Sequence, residues 1–204
     1  MESKSHWEGV YNQKKPDEVS WFLESATTSL NLIHQIGLKQ SDPIIDVGGG
    51  ASRLVDDLLQ QGSDNLTVLD LSGSALKAAQ ERLGARANGI SWLEADITQP
   101  IPTSSKYQLW HDRAVFHFMT TPEQRAAYKK NLDIAVRPSG YAIIATFAEN
   151  GPEQCSGLPV QRYSVESLSK ELGSEFVLLN SCRESHKTPS GNTQEFIYCL
   201  YKLR

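Results

Sequence analysis

Short apolar runs of strand length alternate along this chain with segments whose apolar residues recur every three or four positions. Ile44, Ile45 and Val47 form the first run, and Leu54, Val55, Leu58 and Leu59 follow at helical spacing up to Gly62. The unit then repeats. Residues 66–70 read as a second strand, and Leu76, Ala79 and Leu83 as a helix capped by Ser72 and ended by Gly84. Residues 90–93 and 107–110 predict two more strands, and Thr121-Pro122 opens a helix whose apolar face is Tyr128, Leu132 and Ala135. A turn at 137–140 leads into a fifth strand at 141–147. After a long irregular stretch, 148–163, Ser164 caps a helix bearing Val165, Leu168 and Leu172. Ahead of all these, Leu30, Ile33 and Ile36, closed by Gly37, predict a short amphipathic helix before the Asp42-Pro43 break.

Alternating strand and helix units imply a parallel sheet with helices on both faces, joined by right-handed crossovers. The last two strands, 176–181 and 194–201, are separated only by the polar run 183–193, which predicts an antiparallel hairpin. With 204 residues, 39% of them hydrophobic and 22% charged, one globular domain spanning 1–204 is expected. No apolar run approaches bilayer length, and the N-terminus lacks an apolar leader core, so a cytoplasmic protein is expected. A net charge of −4 speaks against a large nucleic-acid footprint. Cys155, Cys182 and Cys199 are odd in number and widely spaced, which suits reduced thiols better than disulfides. They suit small buried hydrophobes better than a metal centre.

The candidate chemistry sits where the first two units turn. In Asp46-Val47-Gly48-Gly49-Gly50 the glycines let a ligand approach the backbone beside unpaired helix N–H groups. Asp70 ends the second strand about 20 residues on, where an acid can take both hydroxyls of a ribose, with Leu71 beside it. A nicotinamide fingerprint would need a glycine where this chain has Arg53. The acid two residues before the glycines resembles the first motif of the class I S-adenosylmethionine-dependent methyltransferases. That resemblance covers the chain from Trp7 onward. It implies a Rossmann-like three-layer α/β sandwich with a seven-stranded sheet of order 3-2-1-4-5-7-6, the last strand antiparallel.

The resemblance also distributes roles. S-adenosylmethionine is the implied cofactor, with Asp46 and Gly48 to Gly50 at its methionyl part, Asp70 at the ribose, and Asp96 and Ile97 at the adenine. Trp7-x-x-x-Tyr11 followed by Trp21-Phe22 looks like the N-terminal segment of thiopurine-type and protein-lysine methyltransferases, so residues 1–37 are expected to form a lid. Aromatic faces there would attract a sulfonium. The fourth strand delivers His111-Asp112-Arg113 and His117 to the sheet's carboxyl edge, where ligands bind in open α/β sheets. His111 and His117 are candidate bases, His111 also a cofactor contact. Asp112 and Arg113 are candidates to orient substrate. The pair resembles the Asp-Arg-Gly of thiopurine-type enzymes, with Ala114 in place of the glycine. No Asn/Asp-Pro-Pro-Tyr motif of nucleic-acid amino methylation occurs. The expected acceptor is a small molecule, with a protein lysine as the alternative, and 148–163 should overhang it. Asp70, read as an exposed strand-end acid, should be replaceable with little loss of stability.

Overall fold

The computed structural model describes residues 2–15, 17–102 and 106–204. Its centre is a seven-stranded sheet ordered β3-β2-β1-β4-β5-β9-β8, comprising β1 (Ile44–Val47), β2 (Leu66–Asp70), β3 (Ile90–Glu94), β4 (Tyr107–Arg113), β5 (Val136–Phe147), β8 (Phe176–Lys187) and β9 (Thr193–Leu203). Strands β1 to β5 pair in parallel, whereas β9 runs antiparallel to both β5 and β8. Without the two-residue strands β6 (Gln154–Cys155) and β7 (Leu158–Pro159), which form their own hairpin, this is the predicted order.

Strand alternation divides the buried residues into two cores. Ile44, Leu66, Val68, Leu109 and Ile143 face helices α2 (Thr27–Gln35), α3 (Leu54–Gln60) and α4 (Gly73–Leu83). Ile45, Leu69, Trp110 and Ile144 face α5 (Pro122–Ala135) and α6 (Val165–Leu172). The predicted caps are present: Ser72 accepts from the Ala75 N–H, and Thr121 and Ser164 form capping boxes with Gln124 and Ser167. Helix α1 (Glu2–Gln13) lies outside both layers, at the carboxyl end of the sheet. Among the described residues no helix is long and apolar enough to cross a membrane.

Two stretches differ from their sequence reading. Residues 137–140 belong to β5 as an irregularity, with Ser139 at φ 61° and a register shift opposite Tyr107 and Leu109, rather than a turn before it. Strand β8 runs on through the polar segment to Lys187. Of its inward side chains there, Cys182 packs against the apolar core, whereas Glu184 and His186 face Thr28 and the Ser20 carbonyl of the N-terminal segment. Only 188–192 is turn, closed by the Asn192 carbonyl accepting from the Thr188 N–H at 2.8 Å.

Candidate active site

Parity along the strands decides which predicted residues can meet. Asp46 of β1 and His111 of β4 are register partners, so their side chains leave the sheet on one face, and Asp112 leaves on the other. His111 Nδ1 donates to Asp46 Oδ1 at 2.7 Å, and its Nε2 lies 2.8 Å from the Ser29 hydroxyl of α2. Both ring nitrogens are engaged in a buried chain, which leaves none for taking a substrate proton. Asp46 is only 4% exposed, yet its Oδ2 has no partner. It borders a cavity of about 50 Å³, also lined by Gly48, Gly49, Ser29 and Arg53. A buried carboxylate oxygen without a donor is costly unless something fills its place.

A larger cavity of about 300 Å³ adjoins the first and shares Tyr11, Trp21, Gly48 and Arg113 with it. One end holds Asp70, Leu71, Asp96, Ile97 and Thr98. Asp70 is not an exposed strand end: it is 7% accessible, and burial, with the nearby Asp46 and Glu8 charges, pushes its carboxyl up to about 7 against the bond its Oδ1 accepts from the Ser72 N–H. Two of the three glycines exist to make room for these acids. A Cβ on Gly49 would stand 2.5 Å from Asp46 Oδ2, and one on Gly50 2.4 Å from Asp70 Oδ2. Gly50 itself borders neither cavity. The exposed Asp96 accepts from the Thr98 N–H and hydroxyl.

The other end is apolar and roofed. Trp7 of α1 meets Trp21 and Phe118 edge to face, with ring centroids 5.5 and 5.2 Å away, and Tyr11 meets Trp21 at 6.2 Å. The N-terminal segment is fastened at several points. Glu8 accepts from Gly73 N–H and the Ser74 hydroxyl at the start of α4, and Lys4 pairs with Glu94. The Ser20 carbonyl accepts from His186, and the Trp21 carbonyl from Arg113 Nη1. Across the roof, His6 Nε2 lies 3.3 Å from the hydroxyl of Ser156. Ser156 and Gly157, at φ 52° and 78°, make the tight β6–β7 turn that brings Cys155, Leu158 and Pro159 onto the cavity.

Three of the four predicted catalytic side chains are therefore occupied elsewhere, and the fourth is largely held in place. Asp112 is fully buried toward α5, accepting from the Val115 and Phe116 N–H groups and from the Tyr128 hydroxyl at 2.6 Å; burial pushes it up to about 6. It holds the turn after β4 and borders neither cavity. His117 is buried between Phe118 and Phe147, takes the Phe147 N–H on Nδ1, and is driven down to about 3, so it stays neutral. It too lies outside both cavities. Arg113 does reach them, but its Nε donates to Tyr198, its Nη2 faces Glu184 at 3.5 Å, and its plane covers Phe196. Ala114 adopts φ 71°, the left-handed conformation a glycine would take freely.

Sequence reasoning missed Val115, Met119, Thr120 and Gln124 among the lining residues. None carries a chemical signature; the segment after a carboxyl-edge strand was the one available signal. Of the 148–163 stretch expected to overhang the acceptor, Cys155, Leu158 and Pro159 line the cavity. Arg162 instead pairs with Glu153, and Tyr163 packs under Phe116.

The family model for a methyltransferase domain matches residues 44–140. The eEF1A lysine and N-terminal methyltransferase of Mus musculus is 23% identical over 128 residues, 63% of this chain but only 18% of that protein. The EEF1A lysine methyltransferase 2 of Danio rerio is 25% identical over 158 residues, 71% of this chain and 68% of the relative. Among solved structures, the 1,6-didemethyltoxoflavin-N1-methyltransferase of Burkholderia thailandensis, bound to S-adenosylhomocysteine, superposes with a TM-score of 0.76 at 18% identity, over 98% of this chain and 87% of the other.

Proposed function

We propose that this chain, which belongs to the class I S-adenosylmethionine-dependent methyltransferases, transfers a methyl group to a small molecule enclosed beneath its N-terminal lid. The observation that carries the reading is the pair of buried acids, Asp46 and Asp70, each set against a glycine of one turn that has no room for a side chain. Asp70 suits ribose hydroxyls, Asp96 the adenine amino group with Ile97 against the ring, and the open Oδ2 of Asp46, with Gly48 and Gly49, the methionyl ammonium. Trp7, Tyr11 and Trp21 suit the sulfonium side. The bound cofactor supplies an electrophilic methyl carbon. The chain's residues contribute alignment of the two reactants and exclusion of water.

A small acceptor is favoured because α1 and the β6–β7 turn meet over the cavity through His6 and Ser156. The names of the curated relatives favour a protein lysine instead. Titration calorimetry with S-adenosylhomocysteine tests the cofactor site, and saturable one-to-one binding is expected. Labelled S-adenosylmethionine incubated with a cell extract then separates the acceptors: label in the small-molecule fraction supports our reading, and label on a protein band sinks it. The three free cysteines suit a reducing cytosol.

A further inference from the structure

We infer that Arg113 is a positioning residue for methyl transfer: it pins the strap 19–26 so that Trp21 stands at the seam between the two cavities, and it acts on the cofactor through that ring. This role rests on the methyl-transfer reading above, to which it adds a side chain outside the nucleoside site.

The two cavities meet at Tyr11, Trp21, Gly48 and Arg113, which border both. With Asp46 at the smaller cavity and Asp70 at the larger, the amino-acid and nucleoside parts of the cofactor are assigned to opposite sides of that seam. The sulfur joins those two parts, so its charge belongs beside Trp21 and Tyr11. An aromatic ring attracts a cation over its face and not at its edge, so the attraction depends on where the ring is held.

Residues 19–26 form neither helix nor strand, so no ladder fixes the backbone that carries Trp21. Side chains from distant elements hold it instead. Arg113 Nη1 donates to the Trp21 carbonyl at 2.9 Å, His186 Nε2 to the Ser20 carbonyl at 2.7 Å, and Asp57 accepts from the Ala26 N–H at 3.0 Å. Of the three, Arg113 grips the residue that bears the ring. Because Trp21 meets both Trp7 and Tyr11 edge to face, a shift of the strap would disturb the whole roof.

The guanidinium is itself fixed on its other sides. Its Nε donates to the Tyr198 hydroxyl at 2.7 Å, its Nη2 faces Glu184 at 3.5 Å, and its Cζ lies 4.6 Å from the centre of the Phe196 ring. Glu184 is held in turn, accepting from the Tyr198 hydroxyl at 3.1 Å and from the Thr28 hydroxyl. Neither Tyr198 nor Glu184 borders a cavity. A planar fork serves three partners in three directions, which an ammonium on a flexible stem does not. With its charge offset by Glu184, Arg113 contributes geometry to the site.

Titration calorimetry with two probes tests this: S-adenosylhomocysteine, which is uncharged at sulfur, and sinefungin, which carries an ammonium group where the cofactor carries its sulfonium methyl. In the parent, sinefungin should bind about threefold tighter or more, the margin that aromatic faces give a cation. Arg113→Lys keeps the charge and loses the fork, and should erase that margin. Trp21→Leu should erase it too, and the double variant should lose no more than Trp21→Leu alone. Amide exchange over 19–26 should quicken about tenfold in Arg113→Lys while β4 and β9 keep their protection. Tyr198→Phe removes the partner of Nε without touching either cavity, should reduce the same margin, and carries the test if Arg113→Lys does not fold. An intact margin in the variants, equal losses for both probes, or losses that multiply in the double variant overturns the inference. So does a parent that binds S-adenosylhomocysteine and shows no margin for sinefungin. A parent that binds neither probe removes the methyl-transfer reading, and this role with it.

Discussion

Replacing Asp70 by asparagine should stabilise the ligand-free protein above neutral pH and weaken cofactor binding. The Asp70 carboxyl sits at about 7 in the folded chain, against about 4 unfolded. Between those values the native state keeps a proton that the unfolded chain has released, so this group's contribution to stability falls as pH rises through the window and levels off above 7. Three pKa units correspond to about 4 kcal/mol at the upper end. Asp70→Asn keeps an oxygen for the Ser72 N–H, removes the charge beside Asp46 and Glu8, and does not titrate. The mutant and parent should melt together near pH 4, and the mutant should melt higher by roughly 8–16 °C at pH 8, at ~2–4 °C per kcal/mol for a chain of this size. Asp112, raised to about 6, and His117, lowered to about 3, titrate in both proteins and cancel in the difference.

The same change should cost binding. Hydrogen bonds to a charged acceptor contribute about 1.5–3 kcal/mol, so losing one charged acceptor predicts about 10- to 150-fold weaker S-adenosylhomocysteine affinity at pH 8. In the parent that affinity should drop about tenfold for each pH unit below 7, because the ligand must displace a proton. In Asp70→Asn it should be flat. A mutant less stable than the parent at pH 8, or parent affinity unchanged between pH 5.5 and 8.5, would refute the reasoning.

Ala114 holds a left-handed backbone at φ 71°, so Ala114→Gly should be neutral to stabilising, by up to about 1 kcal/mol, where glycine substitutions are ordinarily destabilising. Urea unfolding reads this; a loss of 1 kcal/mol would mean the strain is not there. Glu8→Gln removes the carboxylate that α1 lends to the start of α4, a capping interaction of about 0.5–2 kcal/mol. Amide exchange in α1 should quicken roughly tenfold while the central strands keep their protection, and equal protection throughout would show the lid fastened by other contacts.

How much of this was legible in the chain depends on whether a signal was local. The Asp46 turn, the caps at Ser72, Thr121 and Ser164 and the strand ends at Asp70 and Asp96 each follow from a few neighbouring residues, and the alternation of strands and helices followed from stringing them together; the 3-2-1-4-5-7-6 order came from the resemblance to the methyltransferase family. Residues 183–187 were misread because inward strand positions are ordinarily apolar, and here Glu184 and His186 point instead at Thr28 and Ser20 of the lid region. The β6–β7 hairpin was hidden by its size, two residues a side.

The roles of His111, Asp112 and Arg113 were the hardest to read, and the reason is geometrical. Three consecutive residues of one type of promise occupy alternate faces, so at most two can serve one cavity, and periodicity alone leaves open which parity points where. The answer comes from register: Asp46 lies beside His111, not beside Asp112, because β1 and β4 pair Ile44 with Leu109. Sliding that pairing by one residue would put Asp112 beside Asp46, two carboxylates in one buried space, and would expose His111 to Tyr128. The buried bond between His111 and Asp46 agrees with the alignment that the apolar residues of β1 and β4 already require, Ile44 and Leu109 in one core and Ile45 and Trp110 in the other. In this site a histidine that looks like a base from its position on a sheet edge has both ring nitrogens bonded, one of them to the acid beside it.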